Sequence, residues 1–297
     1  MTVFDLVKIQ FRRMAKKHPE MFRNDWPAPD SVKEEFNVPY TGRDGNPLRA
    51  DIYRPKDPMP GKLPVIVLIH GGGLFVGRPI SERAACELLA ERGYLVYAPA
   101  YRLMDEADFT DEVDDICAAF DFAAETLEDR GGDPDRAFVI AESAGSLLAV
   151  YAAAMAGSER LRKATGCTPS KLSLKAACFV SGMFYTTRKD PLGLVYPSAI
   201  YGDLRRDREF MSLMDPENSE VTGNLPPSVL TSSRNDPLRS YTLRYHEALI
   251  KAGKDSSLIY YGLKNKELGH AFVTMKPYLP QSLEAYDIIC RWFDEKA

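Results

Sequence analysis

The sequence lacks the cysteine patterns that build cross-linked or metal-stabilised folds. Its 297 residues include five cysteines, an odd number, at wide spacings and without a Cys-x-x-Cys pair. A disulfide framework needs paired cysteines and an oxidising compartment, and a structural zinc site needs closely spaced ligands. The cysteine pattern therefore excludes both classes. It predicts reduced, mostly buried thiols in a cytoplasmic protein without a bound metal.

An excess of positive charge and a long apolar run are missing as well. The formal net charge is −4 and there is no basic block, so the electrostatic footprint of a nucleic-acid-binding protein is absent. The longest apolar stretch, residues 147–156, is about half as long as a membrane span must be. Charged residues interrupt every apolar run near the N-terminus, which does not fit a secretory signal. We therefore expect a cytoplasmic protein with no nucleic-acid partner and no membrane span.

What the sequence does contain is a regular alternation of apolar strands and amphipathic helices. From about residue 64 this alternation is typical of a doubly wound, mostly parallel sheet. A turn at residues 42–46 joins two alternating segments and predicts an antiparallel hairpin at one edge. Without internal repeats or a linker, we expect one α/β domain over residues 1–297. Strands are predicted at residues 32–41, 48–54, 64–69, 95–100, 137–141, 174–181, 228–232 and 258–261, and helices at residues 81–92, 111–129, 143–156, 241–252 and 283–294, with Ser81 as the cap of the first.

Two segments do not follow the alternation. Residues 1–31 read as a helix followed by irregular chain, and residues 182–226 have no clear periodicity but many Pro, Gly, Tyr and charged residues. We expect these two segments to form a cap over the sheet and to build the substrate pocket. Tyr185, Tyr196 and Tyr201 are candidates for lining it, although packing in the core or at the surface is the interpretation we favour.

Ser143 is the candidate nucleophile. In an open parallel sheet, ligands bind beyond the carboxyl ends of the strands. Ser143 lies directly after the strand predicted at residues 137–141, within Ala-Glu-Ser-Ala-Gly. Small residues on both sides suit a sharp strand-to-helix turn that exposes a hydroxyl at a helix N-terminus. A capped helix start is the ordinary explanation of such a serine, so the motif alone is a weak signal.

A glycine run follows another apolar strand. His70 to Gly73 read His-Gly-Gly-Gly after the strand at residues 64–69. Backbone N–H groups of a glycine run are able to converge on one oxygen, which makes an oxyanion hole. A plain glycine-rich turn remains an alternative. A phosphate loop is disfavoured, because neither Gly-Lys-Ser/Thr nor Gly-x-Gly-x-x-Gly is present.

Asp236 and His270 complete the set of candidates. Asp236 follows the strand predicted at residues 228–232, and His270 follows the last strand, so both lie in loops at the same sheet edge. Of the four histidines, His246 lies within a predicted helix and suits a structural role. A lone loop histidine is usually a surface residue, but three candidates in the order Ser, Asp, His match the order of the α/β-hydrolase fold.

Six stretches together carry a family resemblance. The chain resembles the hormone-sensitive-lipase-like branch of α/β-hydrolase esterases, and the matching pieces span residues 64 to 272 in family order. These pieces are HGGGLFVG (70–77), YAPAYRL (97–103), DPDRAFVIAESAGSLLA (133–149), LPPSVLTSSRNDPLR (225–239), HEALIKAGKD (246–255) and LGHAF (268–272).

The resemblance implies a fold and roles for named residues. It implies an eight-stranded, mostly parallel sheet with a helical cap, and a catalytic triad of Ser143, Asp236 and His270. The amides of Gly72, Gly73 and Ala144 would form the oxyanion hole, and His70 would brace the glycine loop. No metal or organic cofactor is implied. Dimers are common in that family, so a homodimer is a partner that the resemblance allows.

Some positions depart from the family pattern. The usual Gly-Asp-Ser-Ala-Gly-Gly is here Ala141-Glu142-Ser143-Ala144-Gly145-Ser146, and the usual Ala-Pro-Glu is Met-Asp-Glu at residues 104–106. We interpret Glu142 as an orienting or structural residue. The second departure lies near the mouth of the family's active site, so substrate preference is expected to differ.

The resulting hypothesis is a serine esterase that acts on small, short-acyl esters, with an acetylated sugar as one candidate substrate. A hydrolase of amides or peptides with the same triad is an alternative, because one fold supports both reactions. A non-catalytic binding protein with a hydrolase fold is a second alternative. The presence of all three triad residues argues against it.

Overall fold

An eight-stranded sheet forms the centre of the protein in a computed structural model. The model describes residues 29–297 and, before them, residues 5, 9, 12, 13, 16, 17 and 27. Most of the N-terminal cap segment predicted at residues 1–31 therefore lies outside the described residues. The strands are β1 (Val32–Thr41), β2 (Pro47–Pro55), β3 (Leu63–Ile69), β4 (Leu95–Pro99), β5 (Gly132–Glu142), β6 (Leu174–Val180), β7 (Ser228–Ser233) and β8 (Ser256–Tyr261).

The strand order is β1-β2-β4-β3-β5-β6-β7-β8. The predicted hairpin is confirmed, because β1 pairs with β2 in antiparallel orientation, and β2 then pairs with β4 in the same way. All pairs from β4 to β8 are parallel. The carboxyl ends of β3, β5, β7 and β8 consequently lie at one edge of the sheet, where the four candidate features follow them.

Helices cover both faces of the sheet. Residues 65–69 of β3 are fully buried, as a strand with helices on both sides must be. One face packs on α2, α3 and α8, and the other on α1 and α10. The helices are α1 (Arg83–Glu91), α2 (Phe109–Thr126), α3 (Ala144–Ala154), α4 (Glu159–Thr165), α5 (Pro191–Ile200), α6 (Arg208–Leu213), α7 (Ser219–Thr222), α8 (Arg239–Lys251), α9 (Phe272–Met275) and α10 (Pro280–Lys296).

The observed start of α1 differs from the predicted one. Ser81 does not cap α1; it lies within a 3-10 segment, Pro79–Glu82, and its hydroxyl has no hydrogen-bond partner in the described part of the chain. Pro79 begins that segment two residues before the helix start predicted at Ser81, because proline suits the first turn of a helix. The α-helix begins at Arg83 and is followed by Gly93, as predicted, with a φ of 91°.

The segment at residues 182–226 is helical rather than irregular. It contains α5, α6 and α7, and a 3-10 segment at Gly202–Arg206. These helices are short, and α5 has a proline at its start and another in its interior, Pro197. Helices of this length show too few turns for an apolar stripe to be recognised. The same reason explains why the sequence did not indicate α4 and α9.

The predicted burial of most thiols is confirmed, since four of the five cysteines are buried, and all five are free. Between residue 29 and the C-terminus, and at the few described positions before it, no helix has the length and apolar character needed to cross a membrane.

Candidate active site

Ser143 lies at a sharp turn between β5 and α3. Its φ of 48° and ψ of −114° are values that a non-glycine residue rarely adopts. Two backbone hydrogen bonds hold the turn in place. Its N–H donates to the carbonyl of Val180 at 2.9 Å, and its carbonyl accepts from the N–H of Met183 at 2.9 Å. The end of β6 thus fixes the position of the serine.

The small residues around Ser143 are required by close packing. A Cβ on Gly145 would lie 2.4 Å from the carbonyl oxygen of His70, so α3 passes directly over the end of β3. Ala141, where the family usually has glycine, is fully buried, and its carbonyl accepts from the Ser146 hydroxyl at 2.8 Å. The alanine methyl is therefore accommodated within the core.

The structure brings Ser143, Asp236 and His270 into one chain of hydrogen bonds. His270 Nε2 lies 2.9 Å from Ser143 Oγ, and His270 Nδ1 lies 2.8 Å from Asp236 Oδ1. A carboxylate accepts, so Nδ1 donates to Asp236, and Nε2 is free to accept the serine proton. This arrangement suits the removal of a proton from the serine hydroxyl.

Asp236 is fixed as a buried carboxylate. Its Oδ2 accepts from the Ser232 hydroxyl at 2.7 Å, and its Oδ1 accepts from the N–H of Leu238 at 2.9 Å. Burial alone would raise the pKa of Asp236, but the hydrogen bond and charge of His270, with these further donors, hold the pKa below its ordinary value. The carboxylate is therefore ionised at neutral pH.

The pKa of His270 is shifted in the opposite direction, above its ordinary value. Burial alone would lower the pKa of His270, but Asp236, through its hydrogen bond and charge, and then Glu142, through its charge, raise it above the ordinary 6.5. The backbone beside the ring is also held: Ala271 has a φ of 52°, and its N–H donates to Ser181 Oγ at 3.0 Å. The histidine loop is thereby attached to the end of β6.

The glycine loop lies against the serine. A Cβ on Gly71 would come within 3.1 Å of Ser143 Cβ. Gly72 has a φ of 116°, and a Cβ there would lie 1.9 Å from the carbonyl oxygen of Val76, so the loop requires glycine. Within the described part of the chain, no hydrogen bond uses the backbone N–H of Gly72, Gly73 or Ala144.

His70 contacts the loop from beneath. Its Nδ1 donates to the carbonyl of Gly71 at 2.8 Å, and its ring stacks on Tyr101 with 4.3 Å between centroids. The Tyr101 hydroxyl donates to the carbonyl of His70 at 3.0 Å. Burial lowers the pKa of His70 to about 4, so the ring is neutral at neutral pH.

A second carboxyl, which the sequence did not indicate, lies behind the serine. Glu82 is buried and contacts the carboxyl group of Glu142, which also accepts from the Thr274 hydroxyl through its Oε2. Glu82 and Thr274 are far from Ser143 along the chain and belong to no recognisable motif. Only the packing of the 3-10 segment and α9 against β5 shows that they are neighbours.

The described residues contain no cluster of three or more His, Cys, Asp or Glu side chains suited to hold a metal ion.

Comparisons with known proteins identify the family of the chain and several relatives. A family profile described as the alpha/beta hydrolase fold matches residues 66–274. Carboxylesterase NlhH of Mycobacterium tuberculosis is 26% identical over 92% of this chain and 83% of its own length. Ethyl acetate hydrolase of Pseudomonas putida is 26% identical over 82% of this chain and 77% of its own length.

Among solved structures, esterase B of Lactobacillus rhamnosis superposes with a TM-score of 0.87 at 20% identity, over 99% of this chain and 94% of that one. The matched family profile covers β3 to α9, which includes every candidate site residue. The chain therefore belongs to the α/β-hydrolase family and, within it, to the hormone-sensitive-lipase-like serine esterases, which hydrolyse carboxylic esters.

Proposed function

We propose that this protein hydrolyses small, short-acyl esters through an acyl-enzyme formed on Ser143. One observation carries the proposal, namely the continuous chain from Ser143 Oγ through His270 to Asp236, with contacts of 2.9 and 2.8 Å. A serine hydroxyl is a weak nucleophile unless a base removes its proton, and this contact supplies the base.

The reaction begins when Ser143 Oγ attacks the acyl carbon while His270 Nε2 takes its proton. Asp236 holds the imidazole in the required tautomer and stabilises its charged form. His270 then gives the proton to the leaving alcohol, which completes the acyl-enzyme. Water, activated by the same histidine, attacks the acyl carbon and releases the acid and the free serine.

The amides of Gly72, Gly73 and Ala144 are proposed to stabilise the tetrahedral oxyanion. Their N–H groups donate to no other group in the described part of the chain, and the glycine loop lies against Ser143. Ala144 also begins α3, so the helix N-terminus adds a favourable field. One such donor contributes about 3 kcal/mol to transition-state stabilisation.

The proposed preference for short acyl groups rests on the bulk around the glycine loop. Phe75 and Tyr196 are almost fully buried there, and the Tyr196 hydroxyl donates to the carbonyl of Gly73 at 3.3 Å. Met183, whose N–H donates to the carbonyl of Ser143, is almost fully buried as well. Phe75 and Tyr196 meet edge to face, with 6.1 Å between ring centroids. The sequence relative that is named as an ethyl acetate hydrolase supports the same preference.

Loss of Ser143 is the decisive test. We expect Ser143→Ala to abolish the turnover of 4-nitrophenyl acetate and butyrate and the labelling by a fluorophosphonate, because the variant lacks the hydroxyl that contacts His270 Nε2. Ser240→Ala is the matched control, since Ser240 is exposed on α8 and should react normally. Circular dichroism would verify that both variants are folded.

Retention of full activity by Ser143→Ala would refute the assignment. Failure of the folded wild-type protein to react with the fluorophosphonate would instead favour a non-catalytic binding protein. Faster turnover of an amide than of the matched ester would move the substrate class to amides. A series of acyl chain lengths then tests the proposed preference, which predicts a maximum at acetate or butyrate.

A further inference from the structure

Two buried carboxyl groups meet behind the nucleophile. Glu142 is the last residue of β5 and directly precedes Ser143, and Glu82 ends the 3-10 segment before α1. Their exposed fractions are 5% and 2%. The two carboxyl groups lie within hydrogen-bond contact of each other. We call these two residues the carboxyl pair.

Among the described residues, no cationic side chain forms an ion pair with the carboxyl pair. None of the ion pairs formed within residues 29–297 includes Glu82 or Glu142. Glu82 Oε2 is buried as well, and no described residue donates a hydrogen bond to it. Two carboxylates in a dry site repel each other strongly, and an unpaired buried charge is costly. A proton between the two groups removes both problems and leaves a single negative charge.

Burial and the Glu142 charge raise the pKa of Glu82 well above its ordinary value. Burial also raises the pKa of Glu142, but the Thr274 hydroxyl, the charge of His270 and the hydrogen bond from Glu82 oppose that rise. The contacts favour the same assignment: Glu142 accepts from the Thr274 hydroxyl, whereas Glu82 Oε2 has no donor among the described residues. We therefore place the proton on Glu82 and the negative charge on Glu142.

The pair contacts two parts of the site. The Thr274 hydroxyl donates to Glu142 Oε2, and Thr274 lies in α9, which follows the His270 loop. On the other side, a Cβ on Gly71 would come within 2.5 Å of Glu142 Oε1, so the glycine loop packs directly on this carboxylate. The Glu142 side chain thus lies between the His270 loop and the glycine loop.

Among the titratable groups that face the pair, His270 is the one that becomes positively charged. Its electrostatic interaction with Glu142 raises the pKa of His270. Tyr101 beyond β4, Cys86 on α1 and Tyr286 on α10 also face the pair, and burial raises the pKa of each well above its ordinary value. These three groups stay neutral at working pH, so the charge of the pair acts on His270.

We propose that Glu82 and Glu142 hold one proton between them, and that their single negative charge positions His270 and stabilises its protonated form during hydrolysis. The inference rests on the proposed function, in which His270 becomes an imidazolium when it takes the serine proton. If both carboxyl groups of the pair were protonated, that imidazolium would lose a stabilising negative charge. If both were ionised, the two carboxylates would repel each other, separate and displace the loops that they contact.

Glutamine substitutions distinguish these states, because they change charge with little change in shape. Glu82→Gln keeps a donor toward Glu142 and keeps the single charge. Glu142→Gln keeps an acceptor for Thr274 but removes the charge. Glu112→Gln is the matched control, since Glu112 is also buried without a partner but does not act on His270. Both pair residues are positioning residues in this scheme.

We expect Glu142→Gln to shift the acid limb of the kcat/KM profile to lower pH and to reduce kcat several-fold, with little change in KM. Glu82→Gln should keep the acid limb and a kcat close to wild type. It should also remove any loss of activity at alkaline pH that comes from ionisation of the pair. Glu112→Gln should leave the acid limb and kcat unchanged.

A second measurement does not depend on turnover. In a Ser143→Ala background, the ring signals of His270 can be titrated by NMR. We expect a lower midpoint with Glu142→Gln and an unchanged midpoint with Glu82→Gln and Glu112→Gln. If Glu142→Gln does not fold, Thr274→Val takes its place. It removes the hydroxyl that donates to Glu142 and favours its charged form, so it should also lower the His270 midpoint.

Equal midpoints in all four proteins would overturn the proposal, and so would equal loss of activity in Glu82→Gln and Glu142→Gln. These outcomes differ from failure of the proposed function. That failure would appear as wild-type protein that neither hydrolyses esters nor reacts with the fluorophosphonate, whatever the His270 midpoints are.

Discussion

At the scale of the residue, Ser143 shows how a functional position stores strain. A serine with φ 48° and ψ −114° lies outside the regions that side chains normally allow, at a cost on the order of 1–3 kcal/mol. The hydrogen bonds to Val180 and from Met183 hold it there. The strained turn directs Oγ toward His270 instead of along the helix, which is the condition for its chemistry.

The pH dependence of activity belongs to this scale. The base acts in its neutral form, so kcat/KM should fall as pH drops through the pKa of His270, which lies above 6.5. Asp236→Asn removes the main group that raises this pKa and allows the wrong tautomer. We expect the acid limb to move to lower pH and kcat to fall by about 10³- to 10⁴-fold.

A pH–rate profile of wild type and Asp236→Asn with 4-nitrophenyl acetate measures both effects. His246→Gln is the control, because His246 lies on α8 with its Nδ1 2.9 Å from Ser256 Oγ, away from the site. An acid limb that stays in place in Asp236→Asn would show that Asp236 does not set the state of His270.

At the scale of the element, the close packing of α3 on the end of β3 brings Ser143 and the glycine loop together. The start of α3 must approach the end of β3 closely enough for the glycine loop to reach Ser143. Gly145 makes this approach possible, since an added Cβ would lie 2.4 Å from His70 O and 2.7 Å from Ile69 O. Backbone atoms at such distances cannot rotate aside, so the helix as a whole would have to move.

Gly145→Ala is therefore expected to displace the start of α3. We predict a loss of more than 1 kcal/mol of stability, because overpacking typically costs about 1–3 kcal/mol, together with a large loss of kcat from the separation of Ser143 from the glycine loop. Urea unfolding and ester turnover measure the two effects. Gly262→Ala is the control, since its Cβ would meet Tyr260 at an ordinary 3.5 Å. Equal behaviour of the two variants would contradict the packing argument.

At the scale of the whole molecule, buried carboxyl groups make stability depend on pH. Glu112, in the first turn of α2, is fully buried, and neither carboxyl oxygen has a partner in the described part of the chain. Burial, with nearby aspartates, raises the pKa of Glu112 well above its ordinary 4.5. The folded protein holds this proton more tightly than the unfolded chain does. Its stabilising contribution is therefore complete below pH 4.5 and is lost as pH rises toward the raised pKa.

Glu112→Gln removes this titration. We expect the melting temperature of the variant relative to wild type to rise with pH above about 4.5 and to level off once wild-type Glu112 would ionise. Thermal unfolding across a pH series measures the difference. A difference that does not change with pH would show that Glu112 does not bind a proton preferentially in the folded state.

Most of the fold could be predicted because its signals are local. The apolar run of β3 and the amphipathic pattern of α2 each specify an element within a few residues, and their alternation specifies a parallel sheet. The boundaries were less accurate where helix starts depend on proline, as at Pro79. The short helices of residues 182–226 were missed, since their existence depends on packing over the sheet rather than on periodicity.

The sequence by itself determined that Ser143, Asp236, His270 and the glycine loop follow strands whose carboxyl ends share one edge. It could do so because strand order and motif position are local properties of the chain. The tertiary structure decided the strained backbone of Ser143, the contacts around His270 and the meeting of Glu82 with Glu142. Those features arise from segments that are distant along the chain and become neighbours only when the helices pack on the sheet.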